Sequence, residues 1–224
     1  MKPFNRFFPL KRLAYLCTIK LVIMVPVTLY AEMTPNPLTM KFVANKYLLL
    51  DDRTVQFDSL KEAKGFSPLA EALFQFPFVD GVFLSSNFIT VTRTNNVDWD
   101  FIVMELRDFI RDWLVNGKEV LIMMPGEKKQ VTAENEKEKA ERKTFEPSPF
   151  DEPIILLLNE YVKPAVENDG GAIDYVGYEN GVVTVEMKGS CAGCPSSTAT
   201  LKGGIEQLLK SHIQEVKEVV ALTV

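Results

Sequence analysis

The feature that most constrains this chain is a break in its apolar patterning. Between Glu127 and Glu152, 14 of 26 residues are charged, eight acidic and six basic, and aliphatic side chains are almost absent. Pro147, Pro149 and Pro153 close the stretch. Such a segment buries too little apolar surface to offset the entropy of ordering it. It reads as a linker, with transient helix over 132–143 from the Glu/Lys spacing. The expected fold class is therefore α+β: two small α+β domains joined by a charged linker. The boundaries are 1–24 for a leader or an over-called start, 25–126 for the first domain, 127–152 for the linker and 153–224 for the second domain. A length of 224 residues accommodates that division.

Charge and composition narrow the function. With 25 basic and 30 acidic residues the net charge is −5, so the chain lacks the basic excess of a nucleic-acid binder, and no nucleic-acid partner is expected. Three cysteines and one histidine are too few for a disulfide framework, a three-histidine zinc site or a two-cysteine, two-histidine finger. A histidine-based triad would have to rest on His212 alone. No phosphate loop, dinucleotide fingerprint or paired-carboxylate constellation stands out.

The first residues carry Lys2, Arg6, Lys11, Arg12 and Lys20, with no acid before Glu32. The apolar run 13–29 is broken by Thr18, Lys20, Pro26 and Thr28, so it does not read as a membrane span, and no membrane partner is expected. A secretory signal with a cleavage-like 29–31 triplet is the weaker reading. The stronger one is an unstructured leader, or a start site set too early, with Met24 opening the folded part. Cys17 then has no partner at ligand spacing and is inert. The expected location is the cytoplasm, or an organelle matrix if the leader is a targeting segment.

Strands are expected over 27–33 and 40–50, and a hairpin of Val79–Leu84 with Phe88–Arg93 around Ser85-Ser86-Asn87. A short helix begins at Ser67, with Pro68 in its first position. A longer one spans 98–116, with Ile102, Leu106, Phe109, Ile110 and Trp113 on its apolar face and Gly117 ending it. A further strand is expected over 119–123. Phe74, Phe76, Phe78 and Phe83 read as core, and Trp99 and Trp113 as core or half-exposed anchors. Asp98, Asp100, Asp108 and Asp112 read as a solvated acidic face.

Beyond the linker the expected order is α-β-β-α-β. A helix over 153–162 is kinked or ended by Pro164. Strands over 172–179 and 182–188 flank Asn180-Gly181, the dipeptide that suits a type I′ hairpin turn. A helix over 195–212 and a strand over 217–222 follow. Gly203-Gly204 within that helix costs up to ~1 kcal/mol per glycine and is expected to permit close backbone packing.

The chemistry lies between the second strand and the second helix, in Gly189-Ser190-Cys191-Ala192-Gly193-Cys194-Pro195. Two residues between cysteines let both sulfurs face one metal or one cluster edge. The unpaired N–H groups and partial positive charge of a helix start favour thiolates. Three uses compete: a thiol–disulfide redox pair, a zinc site and an iron–sulfur cluster. A thioredoxin-type fold would need more strands after the helix than the remaining chain supplies. Tetrahedral zinc and a cubane cluster each want four thiolates, and one chain supplies two. Either metal reading therefore requires two chains, each giving one Cys-x-x-Cys.

At these residues a resemblance appears. Asp169-Gly170-Gly171, the Asn180-Gly181 hairpin, Gly189 to Thr198 and Thr200-Leu201-Lys202-Gly203-Gly204-Ile205-Glu206 resemble the C-terminal domain of the NifU/Nfu family over about 153–222. Thr34-Pro35-Asn36-Pro37-Leu38-Thr39-Met40-Lys41-Phe42, 73–88 and Phe88–Arg93 resemble the companion Nfu-type N-terminal domain over about 27–115. The resemblance implies an iron–sulfur cluster scaffold or carrier, not an enzyme. It implies a [4Fe-4S] cluster shared between two subunits of a homodimer, with Cys191 and Cys194 as the cofactor-binding and metal ligands. The implied partners are an upstream cluster-assembly scaffold and apo iron–sulfur proteins that receive the cluster. The alternative is a thiol–disulfide oxidoreductase using the same cysteine pair.

Overall fold

A computed structural model describes residues 26–50, 53–125, 145–192 and 195–223. Cys17, most of the charged stretch and Cys194 lie outside the described residues. The chain is α+β and carries two separate sheets.

The N-terminal sheet has five strands: β1 (Leu29–Met33), β2 (Thr39–Ala44), β3 (Val55–Phe57), β4 (Val79–Leu84) and β5 (Phe88–Arg93). Their spatial order is β1-β2-β5-β4-β3, and every pairing is antiparallel. The hairpin β4–β5 has the bounds the sequence predicts. Strand β2 ends at Ala44, six residues short of the expected end. Beyond it, Leu48 and Leu49 donate their N–H groups to the Ser86 carbonyl and so leave the ladder. The 119–123 segment is not a strand: its Ile122 N–H bonds to the Phe66 carbonyl and its Val120 carbonyl accepts from Ser67 Oγ, tying it across the start of a helix.

One face of this sheet carries helices α1 (Leu60–Ala63), α2 (Pro68–Leu73) and α3 (Trp99–Val115). Ser67 caps α2, its Oγ accepting from the Ala70 N–H at 3.1 Å, with Pro68 opening the helix. Helix α3 buries Ile102, Leu106, Ile110 and Leu114 at four-residue spacing. Phe109 and Trp113 lie beside that stripe, half-buried, and α3 ends one residue before Asn116 with Gly117 at φ +65°. Trp99 and Trp113 anchor loops, their indole N–H groups donating to the Pro37 and Glu119 carbonyls. Asp108 and Asp112 are paired with Arg107 and Arg111, and Asp98 with Arg93, so much of the acidic face is neutralised locally.

Strand alternation sends Met40, Phe42, Val82, Leu84, Ile89 and Val91 to the helix-covered core. It sends Lys41, Val43, Phe83, Phe88 and Thr90 to the opposite face. That face is also buried, because the C-terminal sheet's hairpin end packs on it. Val43, Phe83 and Phe88 cluster there with Ala172. Phe83, expected in the N-terminal core, therefore belongs to the contact between the two sheets.

The C-terminal half follows the expected order. Helix α4 (Asp151–Leu157) starts ahead of Pro153, with Asp151 Oδ2 accepting from the Ser148 N–H at 2.8 Å. It passes through a π turn, 158–162, into α5 (Lys163–Asn168). Pro164 thus does not end the helix. The wider turn, with the Lys163 N–H reaching back to the Leu158 carbonyl, accommodates a residue that lacks an N–H and crowds the preceding turn. Strands β6 (Gly171–Glu179) and β7 (Val182–Gly189) form the hairpin, with Asn180 at φ 55° and Gly181 at φ 92°. Helix α6 (Pro195–His212) connects β7 to β8 (Glu218–Thr223), which pairs with β7 in parallel. Val183, Val185 and Met187 all point into the core and are fully buried. His212 sits in the last turn of α6, its Nδ1 3.0 Å from the Leu208 carbonyl oxygen. Added Cβ atoms at Gly203 and Gly204 would meet nothing within 4 Å, so among the described residues these glycines serve no close packing. No helix among the described residues is long and apolar enough to cross a membrane.

Candidate metal-binding turn

The β6–β7 hairpin ends in the pair Gly171 and Gly189, and Cys191 lies two residues past it. Three main-chain and hydroxyl bonds shape the exit. The Ser190 N–H donates to the Gly170 carbonyl at 3.2 Å, the Ala192 N–H to the Gly189 carbonyl at 3.1 Å, and Ser190 Oγ to the Asp169 carbonyl. The loop before β6 and the loop after β7 are thereby stitched into one turn pair.

Two glycines are required by the geometry. Gly189 has φ +66°, a conformation that side chains disfavour, and an added Cβ would lie 2.7 Å from the Gly170 carbonyl oxygen. At Gly171 an added Cβ would lie 2.6 Å from the Lys188 carbonyl oxygen and 2.8 Å from Cys191 Sγ. Gly171 is thus the floor on which the cysteine sulfur rests.

Cys191 is only 6% exposed and joins the apolar core that includes Val185, Met187 and Ile205. Its burial pushes the thiol's pKa up; Ser190 opposes the rise and Asp169 adds to it. A helix start would favour the thiolate, but α6 begins only at Pro195, and desolvation dominates at Cys191. Among the described residues, no group of three or more His, Cys, Asp or Glu side chains could hold a metal ion. Cys194, the second expected ligand, is outside the described residues. His212 sits at the far end of α6 and takes no part in the turn.

Four residues bear on this turn that the sequence reading did not single out as site residues. Asn36 Nδ2 donates to the carbonyls of Ser190 (3.3 Å) and Ala192 (3.4 Å), which flank Cys191. Gln56 Oε1 accepts from the Gly189 N–H at 2.8 Å. Thr90 Oγ1 donates to the Gly170 carbonyl at 2.6 Å, and Lys41 Nζ to the Asn168 carbonyl at 3.0 Å. All four belong to the N-terminal half. Lys41, Gln56 and Thr90 are signalled only as polar residues within otherwise apolar strands, and Asn36, in the turn before β2, is signalled by no periodicity.

Comparison with known proteins places family matches on both halves. Residues 154–220 match the NifU-like domain, and residues 29–117 match the N-terminal domain of scaffold protein Nfu/NifU. The chain is 34% identical over 190 residues to NifU-like protein 4, mitochondrial, of Arabidopsis thaliana, covering 84% of this chain and 63% of that protein. It is 35% identical over 189 residues to the NFU1 iron-sulfur cluster scaffold homolog, mitochondrial, of Drosophila ananassae, covering 83% and 61%. The chain thus spans a little over three-fifths of the length of these relatives. The solution structure of a NifU-like protein from Saccharomyces cerevisiae aligns with a TM-score of 0.40 at 21% identity, covering 44% of this chain and 87% of that one.

Proposed function

The chain belongs to the NifU/Nfu family, with an Nfu-type N-terminal region and a NifU-like C-terminal region, and from that premise we propose that it is an iron–sulfur cluster scaffold and carrier rather than an enzyme. In this reading Cys191 and Cys194 of two copies hold one [4Fe-4S] cluster between them, and the cluster passes to apo iron–sulfur proteins after loading by an upstream scaffold.

The observation that carries the reading is the position of Cys191. It stands at the exit of a glycine-paired hairpin, its sulfur seated against Gly171, on the turn that leads from β7 into α6 and carries the second cysteine of the motif. A cubane cluster wants four thiolates, and a Cys-x-x-Cys supplies two, so the second pair comes from a second copy. A cluster held across two copies is open to ligand exchange with an acceptor's thiolates, which is what delivery requires. The plant and fly relatives carry mitochondrial names, which supports an organelle matrix as the compartment here.

Anaerobic reconstitution of the reduced chain with iron and sulfide tests this. The expected product is coloured and carries iron and acid-labile sulfide in equal amounts. A colourless chain that takes up zinc in preference to iron and sulfide would contradict it. So would steady insulin reduction by the metal-free chain.

A further inference from the structure

Among the described residues, five hydrogen bonds from the N-terminal half share a property: each one lands on a main-chain atom of the C-terminal half. The acceptors are the carbonyls of Asn168, Gly170, Ser190 and Ala192, and the donor is the N–H of Gly189. These atoms are the backbone of the turn pair that carries Cys191. The N-terminal face therefore reads the shape of that turn rather than its side chains.

The reading face is built as a single rung across the sheet. Strand register places Glu32 opposite Lys41, Lys41 opposite Thr90, Thr90 opposite Phe83, and Phe83 opposite Gln56. Its polar members Lys41 and Thr90 are buried under the C-terminal half and find their main-chain partners there. Lys41 is 7% exposed and Thr90 1% exposed, although both are polar. Lys41 is held by Glu32 at 3.4 Å and by the Phe88 ring at 4.7 Å from its centroid, so its ammonium stays directed at the Asn168 carbonyl. Gln56 is oriented too: its Nε2 donates to Asp58 at 2.9 Å, which leaves Oε1 facing Gly189. Phe83 fills the gap beside Gly189, its ring 2.9 Å from where a Cβ on that glycine would lie.

We propose that the N-terminal sheet is a latch on the metal-binding turn: it docks the unloaded turn through its backbone, and this docking competes with the approach of a second copy's turn. The inference rests on the shared-cluster reading above. Two turns bonded to one cluster must stand within a few ångströms of each other, and in this conformation one side of the turn is covered by Asn36, Gln56, Thr90 and Phe83. Loading then requires the latch to release. The N-terminal half thereby keeps an empty site covered and makes it available only to a partner that outcompetes the contact.

The test uses the whole 224-residue chain, reduced and metal-free. One variant combines Gln56→Ala with Thr90→Val, a near-isosteric change; a second carries Asn36→Ala alone. Iodoacetamide modification of Cys191 is followed by peptide mass spectrometry, and circular dichroism confirms that each variant is folded. Losing two such hydrogen bonds is expected to speed modification of Cys191 about tenfold. Uptake of cluster at limiting iron and sulfide should rise in the same variants. Modification of Cys191 at the wild-type rate in both folded variants would overturn the latch. Faster modification with unchanged uptake would overturn the competition. Absence of uptake in every chain, wild type included, would overturn the carrier reading and with it the competition, while the modification rates would still decide whether the turn is docked.

Discussion

Changing Cys191 or Cys194 to serine should remove the cluster rather than weaken it. If each copy supplies two thiolates, one substitution per chain deletes two of the four ligands of a shared cubane. Loss of a mere outer-shell partner costs about 10–100-fold in metal affinity, so losing half the direct ligands should leave well under a tenth of the wild-type iron. Cys191 lies in the C-terminal core and a serine is close to it in volume, so the apo-chain should keep its far-ultraviolet dichroism, with a modestly lower melting point because a hydroxyl replaces a weakly polar thiol there. Iron and sulfide counts on the purified variants, beside those spectra, check both halves of the expectation. Full iron in either variant would sink the ligand assignment.

The second large effect is expected at Gly171, which holds no ligand at all. An alanine there would place a methyl group 2.6 Å from the Lys188 carbonyl oxygen and 2.8 Å from Cys191 Sγ. The carbonyl is main chain of the hairpin, where Lys188 pairs with Ala172, so it yields less easily than a side-chain sulfur. Relief must come from the sulfur side, so the cysteine is pushed out of its seat. Overpacking of this kind costs about 1–3 kcal/mol. Gly171→Ala should therefore lower the chain's unfolding midpoint in urea and reduce cluster retention severalfold, while Ala172→Gly, one residue along, should cost stability without the same loss of iron. Equal iron retention by Gly171→Ala and wild type would show that the seat does not matter.

Much of the fold was legible because local chemistry and tertiary packing agree. Asn180-Gly181 specified its hairpin, since both residues accept positive φ. The Ser67-Pro68 start of α2 and the whole of α6 follow from capping and periodicity. Strand β3 and helix α1 were not foreseen. β3 has three residues, too few for an alternation to register, and α1 has four, held by Ser59 and Glu62 bonding at its first turn. The 119–123 segment is apolar enough to look like a strand, but its backbone is claimed by Phe66 and Ser67 instead of a neighbouring strand.

The candidate site was legible at Cys191, because a glycine-flanked Cys-x-x-Cys before a helix is a local pattern. Its surroundings were not. The N-terminal groups that meet the turn bond to carbonyl and amide atoms that every residue possesses, so no residue type on the receiving side betrays the contact. The donors are separated from it by long stretches of chain: Asn36 and Ser190 stand 154 positions apart. Lys41 and Thr90 carry a faint signal, polar side chains on strands whose neighbours are apolar, and only the register turns that signal into one rung.

The sharing of one cluster by two copies is the claim on which the rest depends, and the mass of the loaded species tests it most directly. Anaerobic native mass spectrometry of the reconstituted 224-residue chain should show two chains carrying one four-iron, four-sulfide unit, with the metal-free protein at the mass of a single chain. A cluster retained on one chain alone would contradict the account.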